Sequence, residues 1–369
     1  MMMTRRRFMA GAAGAGVSAA VGGWMMHSWK ARSEYESAVQ TTWRHTAAEV
    51  DLFRPRMREL IRYATLAPSS HNTQCWKFRV AEGRVSVLPD YGRRCPVVDP
   101  HDHHLFVSLG CAAENLIQAA AAMGFRGEAI FKTGGESLDI ALEPARAVRS
   151  ALFEAIPLRQ STRGEFDGRA LSSEELRILE AAGTGDGVRV LLFTERPAVE
   201  RVLDFVIQGN TAQMRDPAFV RELKAWVRYN GAHAAETGDG LFAGSSGNPS
   251  VPAWLGRLMF DLFFTAAAEN DKYARQVRSS AGIAVFVSEA DDKAHWIEAG
   301  RAFERFALQA AALGVRTAHL NQPLEVPSLR PPFAEAIGVK NGRPDLVVRF
   351  GRGPEMPRSL RRPVEAVVL

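Results

Sequence analysis

Hydrophobic and polar positions repeat with two different periods along this chain, and the changes of period mark its elements. From residue 74 to 80 the period is two: Trp76, Phe78 and Val80 fall on one face and Lys77 and Arg79 on the other. That pattern predicts a half-buried strand. A Glu82-Gly83 turn leads to a second strand at 85–88. Residues 188–193, 283–287 and 345–350 are short apolar runs of the buried-strand kind. Residues 33–50, 56–65, 105–123 and 296–313 read as helices, the first polar and the last two strongly apolar. Ser172-Ser173-Glu174-Glu175 forms a capping box that opens a further helix to Ala182.

The two apolar helices repeat one another. Gly110-x-Ala112-x-Glu114, then Gln118-Ala119-Ala120-Ala121 and Gly124, matches Gly300-x-Ala302-x-Glu304, then Gln309-Ala310-Ala311-Ala312 and Gly314. Small residues on one face let a partner helix approach closely. The offset of 190 (300 − 110) is too long for a solenoid, so it implies a duplicated half-domain. Such a chain mimics a symmetric homodimer within one polypeptide.

Composition adds little to this picture. The 369 residues are 46% apolar and 24% charged, an ordinary globular balance. The net charge of +5 partly sits in Arg5, Arg6 and Arg7, and no basic stripe interleaved with aromatics points to nucleic acid. Cys75, Cys95 and Cys111 are odd in number and lack CxxC spacing, so neither a disulfide framework nor a zinc site is indicated. Cys95 and Cys111 read as structural thiols; Cys75, inside the main motif, stays open.

The N-terminus changes the picture more. Thr4-Arg5-Arg6-Arg7-Phe8-Met9 precedes a Gly- and Ala-rich run, which resembles a twin-arginine export signal. Val17-Ser18-Ala19 is a candidate cleavage site. The apolar run from Phe8 to Met26 is long enough to anchor the protein at a membrane. Cleavage and retention both stay open. The expected location is the periplasm or the outer face of the cytoplasmic membrane. The expected layout is a signal at 1–30, a helical spacer at 31–54, a first half at 55–150 and a second at 151–369.

The candidate chemistry lies in Ala67-Pro68-Ser69-Ser70-His71-Asn72-Thr73-Gln74-Cys75-Trp76, between a helix and a strand. Pro68 ends the helix, and hydroxyls and an amide follow in a loop. This stretch resembles the nitroreductase family's A-P-S-x-x-N-x-Q-P-W loop, with Cys75 replacing Pro. Arg159-Gln160-Ser161-Thr162-Arg163 resembles the family's R-R-S-x-R motif, with Gln160 replacing the second Arg. A C-terminal strand followed by Arg361-Arg362 resembles a third feature.

The resemblance implies an α+β nitroreductase-like fold, with two fused half-domains, each a mainly antiparallel sheet flanked by helices. It implies FMN as cofactor. Family chains carry the Arg motif before the loop; here the loop comes first, and the second half has Gly183-Thr184-Gly185-Asp186-Gly187 in its place. The two halves together therefore assemble one site, as in Acg-type single-chain pseudo-dimers, and a monomer is expected.

The cofactor-binding residues implied are Pro68, Ser69, Ser70, Asn72, Gln74, Arg159, Gln160, Ser161, Arg163, Arg361 and Arg362. The arginines suit a phosphate dianion. No protein acid or base is needed, because the flavin carries the hydride or electrons. The function expected is an exported FMN-dependent oxidoreductase acting on a small electron acceptor; the alternative is a flavin carrier without turnover. No metal is expected at His101-Asp102-His103-His104, where Asp102 reads as a helix cap. Residues 238–249 read as a flexible lid, with Trp226, Phe242 and Trp254 as core residues beside it.

Overall fold

The computed structural model describes residues 32–45, 53–132 and 134–369. The expected signal lies outside these residues. So do residues 46–50 of the expected spacer helix, which is helical at 32–42 (α1) and bends at 43–44.

The first half contains α2 (Phe53–Thr65), β1 (Trp76–Ala81), β2 (Arg84–Pro89), α3 (His103–Ala122), β3 (Phe125–Phe131) and β4 (Leu138–Pro144). After a short α4 (Ala151–Ala155), the second opens with α5 (Ser173–Ala182) and β5 (Val188–Phe193). An inserted block follows: α6 (Arg196–Arg215), α7 (Pro217–Trp226), β6 (Val227–Arg228), α8 (Gly231–Thr237), β7 (Leu241–Phe242), α9 (Ala253–Phe263) and α10 (Ala266–Arg278). The half resumes with β8 (Gly282–Ser288), α11 (Lys293–Ala312), β9 (Arg316–His319), α12 (Gln322–Glu325), α13 (Arg330–Ala336) and β10 (Arg343–Gly351).

The two sheets share one topology. Their orders are β1-β2-β4-β3 and β5-β8-β10-β9, and every neighbouring pair is antiparallel. Each half therefore reads helix, two strands, long helix, two strands. The C-terminal tail crosses back to the first sheet, where Phe78 N donates to Val367 O at 2.8 Å.

α3 and α11 cross at the centre, and the reason is steric. A Cβ on Gly110 would lie 2.0 Å from the Ile297 carbonyl oxygen, and one on Gly300 would lie 2.0 Å from that of Val107. The contact is reciprocal, since 297 and 107 each precede their own helix's glycine by three. Only glycine lets the two backbones approach this closely. Both helices end before a left-handed glycine, Gly124 (φ 81°) and Gly314 (φ 70°). α3 is long and apolar enough to cross a membrane, but most of it is buried in this core.

Several elements depart from the sequence reading. β1 begins at Trp76 rather than Gln74, because Gln74 has a left-handed φ of 53°. The inserted helices α6 to α10 and the strands β3, β4 and β9 were not expected. β3 and β4 do alternate, but charged residues and Gly127 dilute their apolar faces. Asp102 precedes α3 with φ 59° and makes no side-chain cap; Asp99 Oδ2 instead accepts from Leu105 N at 3.0 Å.

Candidate functional site

α2 ends in three carbonyls that the helix itself cannot satisfy. Arg361 donates to those of Thr65, Leu66 and Ala67 at 2.6, 3.0 and 3.1 Å. Arg159 adds a bond to Leu66 O at 2.7 Å. Two guanidinium groups thus clamp the negative end of the helix dipole and launch the loop 66–75.

The loop carries backbone strain. His71, Asn72 and Gln74 have φ of 49°, 52° and 53°, a region that costs non-glycine residues about 1–2 kcal/mol each. Side chains hold it there. Ser69 Oγ accepts from Gln74 N at 2.9 Å. Asn72 Nδ2 donates to Gly240 O and Leu360 O, and its Oδ1 accepts from Arg361. Gln74 Nε2 donates to Gly238 O, while its Oε1 accepts from Arg362 N.

Two adjoining cavities open beside this loop, with void volumes of about 550 and 1020 Å³ including their mouths. Pro68, Ser69, Asn72, Arg159, Gln160, Ser161, Arg163 and Arg361 line the smaller one. Ser70 lines the larger, and Pro68, Ser69, Arg163, Leu241 and His319 line both. Gln74 and Arg362 line neither. Gln74 is fully buried, and Arg362 turns to Ala366 O. These two tie the loop to the C-terminal tail rather than face a ligand.

The clustered arginines are not equivalent. Every guanidinium nitrogen of Arg361 is bonded within the protein. Arg159 is buried, bonded to Leu66 O and 3.2 Å from Glu304 Oε1. Arg163 is the exception: among the described residues its side chain has no hydrogen-bond or ion-pair partner, and it reaches both cavities. Burial lowers its pKa, and it faces Tyr273.

Its placement is built from the backbone. Thr162 N donates to Thr317 O on β9 at 2.8 Å. Gln276 Nε2 donates to Arg163 O. The fully buried Arg349 donates to the carbonyls of Thr162 and Gly164 on either side. Gln160 holds the tail at Met356 through both its amide atoms.

The sequence reading missed several wall residues. Arg358 lines the smaller cavity and donates to Pro157 O. Trp43 lies between two cations, its ring 5.0 Å from Arg358 and 4.8 Å from Arg361. α1 is thus docked on the body instead of spacing it: Tyr35 Oη donates to Arg358 O and Trp43 Nε1 to Ser359 O. No motif signals this contact.

Residues 238–249 also differ from expectation. They form a fixed wall, with Gly240 N donating to Asn72 O and Asp239 paired with Arg228 at 2.7 Å. Leu241 and Ser245 face the smaller cavity. Phe242 is buried and Trp226 half-buried, but Trp254 is 69% exposed and not a core residue.

Burial sets the protonation of the larger cavity. It pushes His71 down to about 4 and His319 to about 3, so both are neutral at pH 7. It raises Tyr273 and Glu325. Cys75 is buried and pushed up to about 12, so it is no thiolate nucleophile. Asp99, His103 and His104 bring potential metal-ligand atoms within 4.8 Å of one another. Asp99 caps α3, however, and His103 Nε2 sits 2.9 Å from Asp345.

No family model matches the chain. Two Mycobacterium tuberculosis relatives bear the name "Putative NAD(P)H nitroreductase". Rv3131 is 24% identical over 85% of this chain and 90% of its own length. The acg protein is 24% identical over 84% and 94%. Among solved structures, a nitroreductase with bound FMN from Desulfitobacterium hafniense overlaps with a TM-score of 0.37 at 14% identity, covering 57% of this chain and 94% of that one. The FMN-dependent nitroreductase NfnB from Mycobacterium smegmatis gives 0.36 at 12%, over 55% and 87%. The similarity to the relatives named putative NAD(P)H nitroreductases runs across most of both chains and joins the motif resemblance of the loop and of the Arg159–Arg163 turn.

Proposed function

We propose that the protein binds one FMN per chain and is a nitroreductase-type oxidoreductase acting on a small electron acceptor. The observation that carries this reading is Arg163, a half-buried guanidinium with open donors on the wall shared by two cavities. A partly desolvated cation without a protein partner favours an anion. A phosphate held by Arg163, with Ser161 beside it, would satisfy it. Bound there, a flavin supplies hydride and electron transfer.

The chain's own residues position and enclose. Arg159 and Arg361 fix the loop that presents Ser69 and Ser70, and Leu241 and Trp43 exclude water from the phosphate end. The neutral imidazoles of His71 and His319 leave Arg163 free to favour an anionic ligand. The resemblance of the loop and of the Arg159–Arg163 turn supports the cofactor, and two relatives named for NAD(P)H support the reductant class. The resemblance of residues 4–9 to an export signal supports a location outside the cytosol, and the fused halves support a monomer.

The test is a comparison of FMN and riboflavin binding in wild type and Arg163→Met. One charge-assisted contact contributes about 1.5–3 kcal/mol, so FMN should weaken roughly 10- to 150-fold while riboflavin barely changes. Equal effects on both, or no flavin in purified wild type, would reject the assignment.

A carrier without turnover is the second reading. Its support is the closed wall over the smaller cavity, made by residues 238–247 and by α1. Stopped-flow mixing with NAD(P)H separates the two: rapid flavin reduction excludes a carrier.

A further inference from the structure

We propose that the outer face of α9 docks on an anionic lipid surface and brings the mouth of the larger cavity to the bilayer. Trp254, Leu258 and Leu262 recur every fourth residue and so share one face of the helix. They are 69%, 50% and 61% exposed, and Phe263 at the helix end is 67% exposed. A cluster of large apolar side chains facing water marks a contact surface.

The charges beside this stripe identify the partner. Arg257 on α9 and Arg221 on α7 line a basic groove together with Lys224 and Arg228. Lys224 is neutralised by Asp261 and Arg228 by Asp239. Arg221 and Arg257 have no ion-pair partner among the described residues, and both are exposed. Tryptophan, phenylalanine and leucine beside unpaired arginines are the composition of a helix lying in a membrane interface. Its apolar residues sit below the headgroups and its guanidinium groups reach the phosphates. A second copy of the chain fits less well, because a two-fold contact across this stripe would bring the two Arg257 side chains together.

The stripe is continuous with the cavity. Phe264, the residue after α9, and Phe219 and Leu223 on α7 wall the larger cavity. A lipid-soluble acceptor could then enter from the bilayer without crossing water. This access step rests on the redox reading above; the docking itself does not.

The test uses the full-length chain, because the N-terminal apolar run can bind membranes by itself. An environment-sensitive fluorophore is placed on Leu258→Cys and, as a control, on Ile130→Cys of β3, which is 41% exposed. The three native cysteines are buried and stay unlabelled. Phosphatidylglycerol vesicles should shift the emission at 258 to the blue, and brominated lipid should quench it, with no change at 130. Phosphatidylcholine vesicles, or Arg221→Glu with Arg257→Glu, should reduce the shift several-fold. Vesicle binding with no change at 258, or with equal changes at both positions, overturns the proposal. So does a shift without vesicles accompanied by a doubled mass in light scattering, which would assign the face to a second copy. Flavin content, read in the same samples, reports separately on the redox reading.

Discussion

The two halves of this molecule share a scaffold and differ in their connections. The first joins α2 to β1 through residues 66–75; the second joins α5 to β5 through 183–187. The long connection holds three left-handed non-glycine residues and opens onto both cavities. The short one is packed into the core only at its start, where a Cβ on Gly183 would lie 3.0–3.2 Å from Val190, Phe286 and Phe306. The second contrast runs the other way. β1 and β2 meet in a tight turn at Gly83, while β5 and β8 are separated by α6 to α10. That insertion supplies Gln213, Phe219, Leu241 and Tyr273 to the cavity walls. One half therefore contributes the loop and the other its cover, while α3 and α11 supply part of the larger cavity's wall through Val107, Ser108, Cys111 and Phe303. Function in this fold lies in the connections.

The core contact gives the largest expected effect. Gly110→Ala and Gly300→Ala should each destabilise by about 1–3 kcal/mol or more, through the same backbone clash. Urea unfolding of both checks it. A large effect at one glycine and none at the other would break the pseudo-symmetry.

The next effect separates arginines that hold the loop from the one that faces the cavity. Arg361→Met strands the carbonyls of Thr65 and Ala67 and leaves that of Leu66 with Arg159 alone, at a cost of roughly 1–3 kcal/mol per stranded group. Thermal unfolding of the ligand-free protein should show it clearly. Arg163→Met should change ligand-free stability by no more than about 0.5 kcal/mol, or raise it, because no protein bond is lost. A larger loss there would place Arg163 among the structural arginines.

The smallest effect concerns two matched carboxylates. Glu114 is met by Arg301 and Arg305 at 3.3 and 3.1 Å. The residues at the matching positions opposite Glu304 are Cys111 and Asn115 (301 − 190 and 305 − 190). Glu304 is left with Arg159, close but not aligned for a hydrogen bond, and burial pushes it up to about 7. A raised carboxyl binds its proton more tightly in the folded state. Its contribution is therefore complete below pH ~4.5 and is lost as pH rises through about 7. Glu304→Gln should flatten the fall in stability between those values. Some slope should persist, because Asp345 is also raised to about 7 by burial. Denaturant midpoints measured against pH test this, and an unchanged slope would show that Glu304 titrates normally.

Much of this was legible in the sequence, and the limits have physical causes. The duplication showed because the core helices need glycine and alanine at matched positions. The loop and the Arg159–Arg163 turn showed because their residue types are restricted. Their roles did not show, since a sequence reports a guanidinium but not whether carbonyls already occupy its donors. Asn72, Gln74, Arg361 and Arg362 turned out to act on backbone; Arg358 and Trp43 reach the site only through the crossing of tail and α1, and Arg349 acts from β10 on the carbonyls beside Arg163. The insertion was missed although α6 sets Val199, Val202, Leu203 and Val206 at helical spacing; α9, by contrast, is apolar on its exposed side and gives no core signal.

The central claim is that two similar halves build a single ligand site. Native mass spectrometry of the full-length protein saturated with FMN tests it most directly. The account predicts one FMN mass increment per polypeptide, lost at the same concentration in Arg163→Met. Two equivalent increments, or one that Arg163→Met leaves untouched, would contradict it.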